Sequence, residues 1–451
     1  MPGPGGVKPV PATLSVPGRT PAAGPNPWRT AMIKLLRPLL RITLPAAVVL
    51  LAGCSSGGTP TDNGIRPEPC TFRNPVGVGQ DPYVTRYEGW YYFIESRDNG
   101  LWVSRSQKLT ELKANAVKVW TPPASGWNRT HLWAPELHPL DGRWYIYYAA
   151  GESGPPFIYQ RTGVLESVGA DAQGQYLDRG IVYTGDGAPG SGENVWAIDM
   201  TVERLNGQLY AVWSGWERNA ATDKTVQHLY IAKMSNPWTI SSPRVKLSSP
   251  VESWEVGTEL SLNEGAQFLT RNGQTFIIYS TRESWLKEYR LGQLRLAPGA
   301  DPMSPTSWTK SGPVFQGTGD VYGVGHASFT KSPDGTEDWI VYHTKISTTP
   351  GWERQIHLQE FTWNADGSPN FGTPTSPSRL IPQPSGQCSA GVAVRWSAPG
   401  TPAPATLALA AAQPPRAREF RGTLVASGSR STEAARRHRL GRPGHVAARR
   451  P

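Results

Sequence analysis

Four side chains able to do acid–base chemistry stand at one position of a recurring phrase: Asp81, Asp199, Glu264 and His326. The phrases read DPYVTRYEGWYYFIES from Asp81, DMTVERLNGQLYAVWS from Asp199, NEGAQFLTRNGQTFIIYS around Glu264 and HASFTKSPDGTEDWIVYHT from His326. A fifth copy, APELHPLDGRWYIYYAA, opens on Ala134 with Trp133 beside it. Any one of these acids has a structural explanation; Asp81-Pro82, for example, is an ordinary turn or strand-entry pair. Three carboxylates and an imidazole gathered at one mouth would repel and desolvate one another, and folding alone does not call for that arrangement. The chemistry it suits is cleavage of a glycosidic bond. One carboxyl stays protonated to donate to the leaving oxygen, a second is ionised to act on water or carbon, and a third raises the acid's pKa. Trp90, Trp133, Trp196 and Trp216 flank these positions and offer faces on which a sugar ring can rest, although each could equally be internal packing.

The elements that must carry these residues are β-hairpins. Each copy is a short alternating run, a turn on a glycine (Gly89, Gly142, Gly207, Gly273 or Gly335) and an aromatic, β-branched run. The opening residue precedes that glycine by eight or nine positions every time. Asn272-Gly273 and Asn206-Gly207 accept positive φ at little cost and favour two-residue hairpins. The openings at 81, 134, 199, 264 and 326 are 53 to 65 residues apart, the size of four-stranded blades. The expected fold is therefore all-β, a five-bladed β-propeller over residues 70–388. The first strand of each copy would line the central channel, bringing the opening residues together. A β-sandwich with similar hairpins is the alternative.

The 451 residues carry a formal net charge of +10, but the excess sits at the ends. Residues 1–53 hold six Lys/Arg and no acid, and 397–451 hold ten Arg against Glu419 and Glu433, which leaves the middle mildly acidic. Nucleic acid is accordingly discounted as a partner. Residues 1–31 are Pro/Gly/Ala-rich without periodicity, a disordered or mis-assigned extension, and Met32 is a possible true start. Lys34, Arg37 and Arg41 then precede an apolar run, Ile42–Gly53, too short to span a bilayer. That run ends in Leu51-Ala52-Gly53-Cys54, which resembles a bacterial lipobox and implies a signal peptide over 32–53 and lipidation of Cys54. An ordinary secretory signal is the alternative; either way the protein is exported, as a membrane lipoprotein or an extracellular protein. Residues 54–69 read as a tether and 389–451 as a disordered Ala/Pro/Arg-rich tail. Cys70 and Cys388 bracket the five copies, which suggests a disulfide closing the ring, with two unpaired thiols as the alternative. The Gly-rich segment 183–195 is either a rim loop or a loose connection.

DPYV at 81, HLWAPELH at 131–138, WAIDMTV at 196–202, NEGAQF at 263–268 and GVGHASF at 323–329 resemble, in order, the motifs of glycoside hydrolase family 43. The resemblance spans about residues 72–382. It implies a five-bladed propeller of inverting glycosidases acting on arabinan, arabinoxylan and related plant cell-wall polysaccharides. By motif, Asp81 would be the general base, Asp199 would tune and orient the acid, and Glu264 would be the general acid. Trp133, Trp196, Trp216, His326 and Arg354 would contact substrate. No cofactor is required, although His326 matches a channel histidine near which a cation such as calcium, or water, can lie. Two motifs depart from the family's usual form. Ala266 follows Glu264-Gly265 where proline is common, and Val324 stands for a proline in blade five; both bear on backbone shape rather than on reacting groups. The chain also lacks the extra C-terminal β-sandwich of many xylosidase members, which favours release of L-arabinose from α-1,5-linked arabinan. A β-xylosidase, an endo-arabinanase and a non-catalytic carbohydrate-binding propeller are the rivals.

Overall fold

The turn dipeptides set the architecture. In the computed structural model, which describes residues 70–187 and 192–388, Glu88-Gly89, Asp141-Gly142, Asn206-Gly207 and Asn272-Gly273 all have positive φ at both central residues. That geometry matches the right-handed twist of the flanking strands and closes a tight hairpin. Blade five differs, turning through Asp334 and Gly335 (φ 79°), with Asp334 accepting from Ser332 and Thr336.

Each hairpin is the inner half of a twisted antiparallel sheet, and there are five such sheets. Their innermost strands are Tyr83–Tyr87, Thr130–Leu140, Ala197–Leu205, Asn263–Arg271 and Tyr322–Lys331. Each of these touches the next, and the last touches the first, so the ring closes as a five-bladed propeller. The core is divided among the five seams between blades. Tyr92 and Ile94 of blade one meet Leu137 and Trp144 of blade two, and Phe276 of blade four meets Ile340 and Tyr342 of blade five. Alternation explains this: each strand sends one set of side chains to each neighbouring blade. The expected signal at 32–53, the lipidation site Cys54, the tether and the tail all lie outside the described residues.

Ring closure departs from expectation. Cys70 and Cys388 are free thiols, not a disulfide, although they lie close enough that a hydrogen bond from the Cys388 thiol to Cys70 pushes Cys388 up. The two ends of the propeller segment instead pair through Thr71–Phe72 and Ile381–Pro382. Gly77–Val78, ahead of blade one, forms the outer strand of blade five against Gln355 and Ile356. Two residues further along that edge the carboxamide of buried Asn74 takes over the ladder. It donates to the Leu358 carbonyl at 2.8 Å and accepts from the Leu358 N–H at 2.9 Å. Replacing it strands two buried backbone groups, so Asn74→Ala should cost about 2–4 kcal/mol of unfolding free energy, measured by urea denaturation.

Candidate active site

The five opening positions share a backbone distortion. In blades two to five the inner strand slips register against its partner at a shared place, after Trp133, Ile198, Glu264 and Gly325, with a further slip just before it in blades two and five. The residue that follows each slip has left-handed φ: Ala134 (38°), Asp199 (54°), Gly265 (54°) and His326 (46°). Asp81, just ahead of the blade-one strand, has φ 48°. A bulge of this kind bends the strand and re-aims a side chain, at about 1–2 kcal/mol for each non-glycine residue held left-handed. Glu264 is thus one residue out of the expected register. Blade four puts Gly265 at the shared position and Glu264 ahead of it, which is why its opening acid precedes the turn glycine by nine residues rather than eight.

Asp81, Asp199, Glu264, His326 and Arg354 converge on one cavity of about 610 Å³. Trp133, Phe157 and Trp196 line it from blades two and three, Trp285 and Trp352 from blades four and five. Trp133 packs edge-on to Phe157 at 5.0 Å, and Trp285 lies 5.4 Å from the half-exposed Trp352. Trp216 does not reach the cavity, contrary to expectation. It is fully buried and stacks flat beneath Trp196 at 4.5 Å, so it supports that face rather than offering its own. Trp90 is also elsewhere, under the guanidinium of Arg105. The described part of segment 183–195 is tied down by Asn194, which accepts from Thr184, and by the Arg244–Asp186 pair; it does not line the cavity.

The three acids sit in different electrostatic surroundings. Burial alone would raise Asp81, but its Oδ1 lies 3.3 Å from His326 Nδ1 and 3.2 Å from both Arg354 Nη1 and His343 Nδ1. Those groups hold its carboxyl well below the usual carboxylate range, so it is ionised. Burial raises Glu264 to about 7; the Tyr289 hydroxyl, donating at 2.9 Å, opposes this and the Asp81 charge adds to it. Asp199 is pushed up by burial and then by the charges of Glu264 and Asp81, against one N–H from Gly265 at 3.0 Å. Asp199 and Glu264 together therefore keep a proton at neutral pH. His343 and His326 are both lowered by burial, His343 to about 3.

Sequence reasoning missed several of these groups. Tyr289, in the loop before the third strand of blade four, and His343, on the second strand of blade five, lie where no repeat singles them out, and their rings stack at 5.4 Å. Phe157, Trp285 and Trp352 stand in loops between strands. Glu136, two residues past Ala134 in the same copy, is a buried fourth carboxylate tied to His138 Nε2 at 2.8 Å and to the Gln267 amide. The Nδ1 of His326 faces Asp81, and among the described residues no three His, Cys, Asp or Glu are grouped to hold a metal ion.

An ionised carboxylate and a protonated one at neutral pH, in a sugar-sized cavity walled by aromatic rings, define a propeller glycosidase. The comparisons agree. Residues 72–369 match the model of glycosyl hydrolases family 43, and the chain belongs to that family. It is 37% identical over 354 residues to an extracellular exo-α-(1→5)-L-arabinofuranosidase of Streptomyces avermitilis, covering 75% of this chain and 71% of that one. It is 35% identical over 335 residues to α-L-arabinofuranosidase 43 of Humicola insolens, covering 70% and 67%. The crystal structure of an α-L-arabinofuranosidase from Lactobacillus brevis superposes with a TM-score of 0.62 at 34% identity, over 68% of this chain and 98% of that one.

Gly265 tests how tightly the bulges are set. A Cβ there would come within 3.0–3.3 Å of three atoms of the His326 ring, on a backbone at φ 54°. Gly265→Ala should lower kcat/KM at least about tenfold and reduce the melting temperature, both read on the purified variant.

Proposed function

We propose that this glycosidase removes terminal L-arabinofuranosyl units from α-1,5-linked arabinan or its oligosaccharides by a single inverting displacement. The observation that carries the reading is the split between Asp81, held ionised, and Glu264, raised to about 7. Asp81 takes a proton from water as the water oxygen bonds to the anomeric carbon. On the other side, Glu264 gives its proton to the departing oxygen as the glycosidic bond breaks. Asp199, sharing the acid's proton and held by the Gly265 N–H, keeps Glu264 loaded. Arg354 neutralises Asp81 without protonating it, and Trp133 and Trp196 supply the faces against which the sugar rests. Each of these steps is acid–base chemistry among side chains.

The choice of arabinose rests on the relatives, the foremost of which bear arabinofuranosidase names. Those described as extracellular support export, and the Cys54 lipobox supports a lipid anchor at the membrane. The substrate would then be plant cell-wall polysaccharide outside the cell.

Glu264→Gln should reduce kcat on linear arabinan by about 10²–10⁴-fold while leaving sugar binding intact, measured by product chromatography and calorimetry. Undiminished turnover would remove Glu264 from the acid role. Proton NMR of the first turnovers should show free arabinose appearing as the β-anomer. In the wild-type protein kcat/KM should be flat from acidic pH, because Asp81 stays ionised, and fall about tenfold per unit above the Glu264 value near 7.

A further inference from the structure

Glu264 is in contact with one segment that no repeat marks, residues 282–289 between the second and third strands of blade four. Tyr289 is fully buried and donates its hydroxyl to Glu264 Oε1 at 2.9 Å. The ring is fixed on two sides. It lies nearly parallel to His343 (10°), and on the other side it fills the space that a side chain at Gly325 would occupy, where a Cβ would come within 2.2 Å. Ser284, mostly buried, lies beside Glu264 and its hydroxyl helps to lower the Glu264 carboxyl, while its carbonyl accepts from Arg354 Nη2 at 3.1 Å.

The segment itself is pinned. Glu283, fully buried, accepts the backbone N–H groups of Glu259 and Leu260 at 2.6 and 3.2 Å. Gly351 N–H donates to the Trp285 carbonyl and Gly323 N–H to that of Lys287. Blade five therefore grips the same eight residues that grip the acid. A buried carboxyl with no neighbouring donor has several rotamers and no reason to prefer the one facing the scissile oxygen; the fixed Tyr289 hydroxyl removes that freedom.

We propose that Tyr289, with Ser284 beside it, is the positioning residue of the general acid, holding Glu264 in one rotamer. The proposal rests on Glu264 being the acid. Donation to a carboxylate favours its ionised form, so each hydroxyl pulls the Glu264 pKa down from where burial alone would put it. The other groups facing Glu264 are Asp81 of blade one, Asp199 of blade three, and Arg354, His326 and His343 of blade five. Removing either hydroxyl leaves all of these in place.

Tyr289→Phe keeps the ring, its stack on His343 and its contact with Gly325. With the donor gone, Glu264 holds its proton to higher pH, and the alkaline limb of kcat/KM should move up by about one unit. The acidic side of the profile should stay flat, because Asp81 remains ionised there, and kcat on the plateau should fall about tenfold as the carboxyl loses its anchor. Ser284→Ala should move the same limb in the same direction by a smaller amount, and it carries the test if Tyr289→Phe does not fold. A role confined to packing would lower the melting temperature and scale activity equally at every pH. Alkaline limbs matching wild type in the folded variants would overturn the proposal. Glu264→Gln assayed alongside separates this from failure of the mechanism itself. Retained turnover there removes the acid and the proposal with it, whereas lost turnover there with unmoved limbs removes only the positioning role.

Discussion

Three buried carboxylates share a cavity with a single buried guanidinium, and the placing of that guanidinium governs the site. Arg354 pairs with Asp81 and with neither of the other two. At an effective dielectric near 20, an opposite unit charge at about 4 Å is worth about 4 kcal/mol, enough to decide which of several buried acids ionises. Asp81 takes that stabilisation and two imidazoles besides. Asp199 and Glu264 have no such pair: burial and the Asp81 charge push both up, Arg354 opposes this at Glu264 only from a distance, and they retain a proton. Distributing the same groups evenly would give three half-ionised acids and no division of labour.

The asymmetry is imposed on a nearly symmetric frame. Blades two to five present the same bulge with a left-handed residue after the slip, and blade one has left-handed Asp81 just ahead of its strand, so the backbone offers five comparable posts around one channel. What stands on each post differs: Asp81, Ala134, Asp199, Gly265 and His326. Strain of about 1–2 kcal/mol at the non-glycine posts persists because the hairpins beneath, with their two-residue turns and interblade cores, over-determine the strand path. At blade four the post is glycine, and its bare N–H serves Asp199 while Glu264 enters from one residue earlier. The exception is functional in consequence: the acid and its neighbour are joined through one peptide rather than facing one another across the channel.

The same frame explains what the sequence made legible. Turn glycines at a regular period and aromatic runs after them report backbone geometry directly, so the number of blades and the strand order could be read before any coordinates. Asp81 and Asp199 could be read because a post is a fixed distance from its turn. Glu264 could be read as an acid but not in its register, because an acid one residue ahead of the post leaves the pattern nearly unchanged. Trp216 and Trp196 could not be told apart. Both are tryptophans near a strand end, and which of a stacked pair faces the cavity depends on the path of the loop after residue 215. Cys70 and Cys388 marked the right place for closure but not its means, since a carboxamide completing a strand edge, as Asn74 does, has no signature in composition.

The side chains that bear most on the acid are also the least visible in sequence, and for a physical reason. A repeat records what each blade needs in order to fold, namely turns, alternation and interblade packing. Whatever distinguishes one blade must be added where the repeat is permissive, in the loops after the second strand. Tyr289, Ser284 and Trp285 occur there in blade four, Phe157 in blade two, and Trp352 in blade five. Arg354 opens the third strand of blade five and meets Asp81 only because the ring brings the last blade against the first. The chemistry is thus assembled across the closing seam, where Gly77–Val78 of the N-terminal segment completes the sheet that carries Arg354. A ring that opened at that seam would separate Asp81 from its cation before disturbing any other blade. Burial with no counter-charge would then push the Asp81 carboxyl upward, and the base would be lost while the fold of the remaining blades persisted.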